Sequence, residues 1–174
     1  MIGYIRRAIS AIIAPRARLR LNSHFFADVI AEIHRRGDEK RESGAFLLGS
    51  TAEDGARVAD DVIYYEDLDP RCTRYGAIAL ESIAFAKAWS IASERGKQIV
   101  ADLHSHPGCA EQSAIDKANP AVALPGHIAL IVPDFGRRRG SRSGLGVFEY
   151  LGGHKWRAID AARQRKYLDI GWWV

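Results

Sequence analysis

Three short apolar runs constrain the fold more than any other feature of this chain. SGAFLLGST (43–51) and HIALIVPDF (127–135) are bounded by turn residues and are too short for typical helices, so both read as buried strands. KQIVADLHSHP (97–107) begins the same way but ends in two histidines and a proline. Pro107 has no N–H to give to a sheet, so the chain must leave the strand there. Successive residues of a strand face opposite sides, which sets His104 and His106 on one face at the strand's end.

Around these strands the pattern is mixed. ARLRLNS (17–23) alternates and reads as a strand, and ARVADDVIYYED (56–67) as another. HFFADVIAEIHRR (24–36) places Phe25, Val29, Ile30 and Ile33 on one helical face, with Ser23 as N-cap and Gly37 as stop. LESIAFAKAWSIASERG (80–96) is a second helix with a glycine stop, and GRRRGSRSG (136–144) is a polar loop. LGVFEYLGGHKWRAID (145–160) reads as a hairpin turning at Gly152-Gly153. Strands and helices do not alternate regularly, so the expected class is α+β, one mixed sheet flanked by helices. The 174 residues suit a single domain over 1–174, with a core at about 20–157.

Composition narrows the function classes. With 47% hydrophobic and 26% charged residues, the chain is globular rather than disordered. A net charge of +4, without aromatic residues interleaved among the basic ones, makes a nucleic-acid partner unlikely. The N-terminal stretch MIGYIRRAISAIIAPRARLRL is broken by Ser10 and Pro15, a poor export signal and too short an apolar run to cross a bilayer. It is expected to form a short helix or strand of the domain. Two cysteines, Cys72 and Cys109, fit a reducing compartment, and the expected location is cytoplasmic with no membrane partner.

Two imidazoles projecting together can hold one borderline metal ion such as zinc. After a short loop, Ser113 reads as the N-cap of a helix beginning AIDKAN, with Asp116 in its first turn. A carboxylate there can swing back to the histidines as a third ligand, and two histidines with one carboxylate leave a position open for water. The plain alternative has surface histidines and an aspartate that only complements a helix N-terminus. Asp102 shares the histidine face, either as a ligand in place of Asp116 or as a carboxylate orienting the ligands. A hydrolase also needs a base. Glu42 stands before the 43–51 strand and is either that base or a solvated carboxylate of GDEKRES; Asp38, Glu39, Glu81 and Glu111 compete with it.

HSHP followed by SAID resembles the His-x-His-Pro … Ser-x-x-Asp signature of the JAB/MPN (JAMM) zinc metalloprotease superfamily, in its compact prokaryotic form. ESGAFLLGS is similar to the family's upstream Glu-x-Gly-x-x-Leu-Leu-Gly segment. Nine residues separate His106 from Asp116 where the family usually has ten, the difference falling in the loop 108–112. The resemblance implies a single MPN/JAB-like (cytidine-deaminase-like) domain with zinc on His104, His106 and Asp116. It also implies Glu42 as general base and Ser113 as a stabiliser of the oxyanion. The implied activity is deubiquitinase-like: an isopeptidase or peptidase cutting after the C-terminal glycine of a ubiquitin-like or sulfur-carrier-like protein, or of its conjugates. Ubiquitin-activating-like or -conjugating-like enzymes are the implied operon partners, and some compact prokaryotic relatives serve antiviral defence. The competing readings are a non-catalytic MPN scaffold and a DNA-repair-associated JAB-like protein. A deaminase would need a Cys-x-x-Cys, which is lacking.

Three further features stand apart from that signature. Cys109, in the active-site loop, is a small loop residue or a thiolate able to cap the open metal position. Arg137, Arg138, Arg139 and Arg142 form a solvated loop or one that meets an acidic patch on a partner protein. Trp172 and Trp173 are expected to dock on the body or on another chain.

Overall fold

The computed structural model describes residues 18–137 and 144–172. The expected N-terminal element, Arg138, Arg139, Arg142 and Trp173 lie outside the described residues. In chain order the elements are β1 (Leu19–Asn22), α1 (Ser23–Gly37), β2 (Gly44–Thr51), β3 (Arg57–Tyr64), α2 (Tyr65–Leu68), α3 (Ser82–Glu94), β4 (Gln98–Ser105), α4 (Ala114–Ala118), β5 (Ile128–Val132), β6 (Gly146–Gly152), β7 (Lys155–Ala158), α5 (Ala161–Tyr167) and β8 (Leu168–Gly171). The strands form one sheet in the order β7-β6-β5-β4-β2-β3-β1-β8. The pairs β4–β5, β1–β3 and β1–β8 are parallel, and the rest are antiparallel. This is the mixed α+β architecture expected from the sequence.

The apolar runs are central strands because both faces of the sheet are covered. On β2, Ala45 and Leu47 pack into the core beneath α1, while Phe46 and Leu48 pack into a second core beneath α3. Helix α1 contributes Phe26, Val29, Ile30 and Ile33 to the first core, with Phe25 packed at its margin. Helix α3 is thin on its inner face, where Ala84, Ala88 and Ala92 let it lie close to the sheet. The sheet curls around the α1 core. Arg18, beside β1, pairs with the buried Glu149 of β6, and Arg57 Nη2 of β3 donates to the Gly126 carbonyl at 2.6 Å.

Four local expectations are corrected. Asn22, not Ser23, caps α1, its side chain accepting from the His24 and Phe25 N–H groups at 2.9 and 3.4 Å. Helix α1 includes Gly37 and stops at Asp38, which takes a left-handed conformation (φ 50°) and donates its N–H to the His34 carbonyl. The strand expected over 56–67 ends at Tyr64, where the chain turns into α2. The β6–β7 hairpin turns on Gly153 and His154, both at positive φ (56° and 57°), as a two-residue turn of the tightest type requires. Helix α5 and strand β8 were not expected; β8 pairs with β1 and buries Leu168 and Ile170. Among the described residues no helix is long and apolar enough to cross a membrane.

Candidate metal centre

A bulge in β4 aims the histidines. Leu48 of β2 faces Ile99 and Leu47 faces Ala101, so Val100 is an extra residue on β4. Ile99 therefore packs under α3, whereas Ala101 and Leu103 pack under α1. Asp102, His104 and His106 are left on the α3 face, where a cleft of about 590 Å³ opens over His104 and Asp116. Ser105, between the histidines, faces the other way. Its backbone N–H donates to the Ser43 carbonyl at 2.9 Å, and its hydroxyl oxygen accepts the Ser43 N–H at 3.2 Å. The His-Ser-His stretch is thereby tied to the residue that follows Glu42.

Gly44 makes that close approach possible. A Cβ there would lie 2.6 Å from Tyr65 Cε2, 2.8 Å from His104 Cβ and 2.8 Å from the Leu103 carbonyl oxygen. Gly44→Ala is expected to cost about 1–3 kcal/mol of stability by overpacking and to weaken metal uptake by pushing His104 off its neighbours. Thermal unfolding together with metal titration of the variant checks this; wild-type values for both would contradict it.

Asp116 arrives from the opposite wall on the five-residue helix α4. A reciprocal cap holds it: Ser113 Oγ accepts the Asp116 N–H at 3.1 Å, and Asp116 Oδ2 accepts the Ser113 N–H at 2.6 Å. Trp156 Nε1 of β7 donates to the Lys117 carbonyl at 3.2 Å and fastens this short helix to the hairpin. Ser113 is thus the N-cap expected of it, and its hydroxyl, used here as an acceptor, keeps a hydrogen to give.

His104 Nε2 lies 3.1 Å from His106 Nε2, Asp116 Oδ2 3.3 Å from His106 Nε2, and Asp116 Oδ1 3.7 Å from His104 Nε2. One donor atom from each of the three residues lies within 4.8 Å of the others, and no other such group occurs among the described residues. Zinc–ligand bonds of about 2.0–2.1 Å at tetrahedral angles separate two donor atoms by roughly 3.3 Å, so these side chains fit one zinc ion. The electrostatics agree. Burial works against the ionised Asp116, but the pairing with His106, the His104 ring and the Ser113 N–H prevail and hold its pKa well below the usual range. Burial also works against a charged His106, yet Asp116 and Glu42 raise its pKa. The same negative field favours a divalent cation.

Glu42 stands beside the trio without joining it. Its Oε1 is 3.8 Å from His106 Nε2, and its Oε2 accepts the Ile78 N–H at 3.3 Å. Of the competing carboxylates, Asp38 pairs with Lys40 and Glu39 with Arg137, Glu81 precedes α3 without a side-chain cap bond, and Glu111 lines a separate cavity with Cys109. Asp102 is outside the ligand set; it is buried against His127, whose Nε2 lies 2.6 Å from Asp102 Oδ1. Burial opposes the Asp102 charge, but the neighbouring His104 ring and the His127 hydrogen bond outweigh it and lower its pKa. His127 escaped the sequence reading because a single polar residue before an apolar run carries no periodic signal. Gln112 escaped it too; it is buried in the cleft wall beside Asp116.

Cys109 is exposed and not among the clustered donors, which favours the plain loop reading. Cys72 is buried, and burial pushes its thiol up to about 12. Native protein at pH 8 is expected to label rapidly at one thiol per chain, lost in Cys109→Ser, and at two after denaturation. Two rapidly labelled thiols in the native state would contradict this packing. Trp172 is largely exposed, touching the His24 ring edge-on at 5.0 Å.

The curled mixed sheet, with His104, His106 and Asp116 clustered and Glu42 beside them, defines a JAB/MPN-type domain. The chain belongs to the prokaryotic homologs of the JAB domain, whose family model matches residues 26–142, or 117 of 174. It is 25% identical over 146 residues to the probable metalloprotease y4jG of Sinorhizobium fredii, a match covering 82% of this chain and 87% of that one. Among solved structures, it resembles protein DSY2949 of Desulfitobacterium hafniense with a TM-score of 0.54 and 16% identity, over 80% of this chain and 88% of the other. A protein from Salinibacter ruber aligns with a TM-score of 0.47 and 25% identity, over 76% and 86% of the two chains.

Proposed function

We propose that the protein is a zinc-dependent metallopeptidase that hydrolyses the peptide or isopeptide bond after the C-terminal glycine of a ubiquitin-like or sulfur-carrier-like protein or its conjugate. The observation that carries this reading is the His104–His106–Asp116 trio with a second carboxylate, Glu42, outside it and 3.8 Å from His106 Nε2. Membership of the JAB family and the similarity to the probable metalloprotease of Sinorhizobium fredii support it. Zinc held by the trio would supply a Lewis acid that acidifies water and polarises the scissile carbonyl. Glu42, anchored through Oε2 on the Ile78 N–H, takes the attacking water's proton on Oε1 and returns it to the leaving amine. Ser113 gives its remaining hydrogen to the substrate oxyanion. The two free cysteines fit action in the cytoplasm. Ubiquitin-activating-like or -conjugating-like enzymes would make the conjugates that this activity removes.

The substrate tail enters extended. Strand β2 cannot receive it by strand addition, because β3 and β4 occupy both of its edges. The irregular segment 76–80 beside Glu42, which contributes Ile78, Ala79 and Leu80 to the cleft wall, receives it instead. Close passage over the metal site favours a residue without a Cβ before the cleaved bond. With matched ubiquitin-like fusions carrying Gly or Leu at that position, the Gly substrate is expected to be cut at least about tenfold faster. Equal cleavage would favour a general peptidase.

A further inference from the structure

Behind His104 lies a polar chain that takes no part in the hydrolysis described above. Asp102 and His127 are each only 3% exposed. His127 Nε2 lies 2.6 Å from Asp102 Oδ1, and Asp102 Oδ2 lies 3.8 Å from His104 Nδ1, the ring nitrogen opposite the one facing His106 and Asp116. A buried carboxylate persists only when paired, and an ionised one can only accept, so His127 Nε2 is the donor. The backbone of His127 is fixed on both sides: its N–H donates to the Leu124 carbonyl at 3.0 Å, and its carbonyl accepts the Tyr150 N–H at 2.9 Å. Two residues on, Ala129 of β5 is registered opposite Asp102 itself.

We propose that His127 is a positioning residue: by pinning the Asp102 carboxylate in front of His104 Nδ1, it sets the proton of His104 on Nδ1 and leaves the Nε2 lone pair aimed at the metal position. The proposal rests on the metal-centre reading above. A neutral imidazole carries one N–H, and the group facing one nitrogen decides which nitrogen remains free to ligate. At 3.8 Å the Asp102–His104 contact is too long for a hydrogen bond, so it works by attraction between the carboxylate and the Nδ1–H. That attraction depends on where the carboxylate sits, which the short His127 bond determines. Carboxylates and donors behind ligating histidines typically change metal affinity by about 10–100-fold.

The test uses the full chain and zinc alone. Zinc Kd is measured by competition with a chelating dye for wild type, His127→Ala and His127→Gln. His127→Ala is expected to raise Kd by about 10–100-fold. His127→Gln keeps an N–H donor near the position of imidazole Nε2 and is expected to stay within about threefold of wild type. Side-chain ¹⁵N NMR of the metal-free protein is expected to show His104 as the Nδ1–H tautomer in wild type and His127→Gln, and as a mixture in His127→Ala. If His127→Ala does not fold, the wild-type tautomer still decides: His104 protonated on Nε2 overturns the proposal. Zinc binding in wild type with an unchanged Kd in His127→Ala overturns it as well, leaving the metal centre intact. A wild type that takes up no zinc while His104 keeps its Nδ1–H tautomer overturns the metal-centre reading and leaves the His127 contact standing.

Discussion

Glu42→Gln is expected to lower turnover on a ubiquitin-like fusion by about 10²–10⁴-fold while leaving zinc content unchanged. The two halves of that result separate a base from a ligand. Gln has nearly the shape of Glu, and its amide oxygen still accepts the Ile78 N–H that now holds Oε2. What it lacks is the ability to take a proton. Because Glu42 stands outside the clustered donors, its loss removes no metal bond. Of the competing carboxylates, Asp38 and Glu39 are paired with Lys40 and Arg137. Turnover close to wild type would move the base role to another carboxylate, and loss of zinc together with activity would make Glu42 a ligand.

The parts of this arrangement that could be read from the sequence are those with local chemical causes. The run AFLLG, bounded by turn residues, reads as a buried strand, and β2 packs Leu47 and Phe46 into opposite cores. The alternation that puts His104 and His106 together, the proline that ends their strand and the Ser-x-x-Asp cap are likewise local, and all three are realised at the cleft. What escaped depends on distant partners. The Val100 bulge decides which core the histidines face, yet no residue type announces it. Helix α5 lies in a stretch rich in Arg and Lys, the apolar alternation of β8 spans only Leu168 and Ile170, and β8 pairs with β1. Asn22 and Ser23 are both good N-caps, and only the path of β1 selects Asn22. His127 acquires significance through Asp102, a residue 25 positions away.

Removing the two imidazoles is expected to have the largest effect on the metal. Once His104 and His106 are alanine, only Asp116 of the trio remains, and a single carboxylate does not retain zinc against a chelator. The fold is expected to survive, because neither ring belongs to the apolar clusters that join the helices to the sheet. Far-UV circular dichroism of the variant separates lost ligands from lost structure. The decisive measurement is zinc per chain, determined by elemental analysis after dialysis, in wild type and in the His104→Ala, His106→Ala double variant. One zinc per wild-type chain and none in the folded double variant is the result predicted here; stoichiometric zinc retained by the double variant would contradict it.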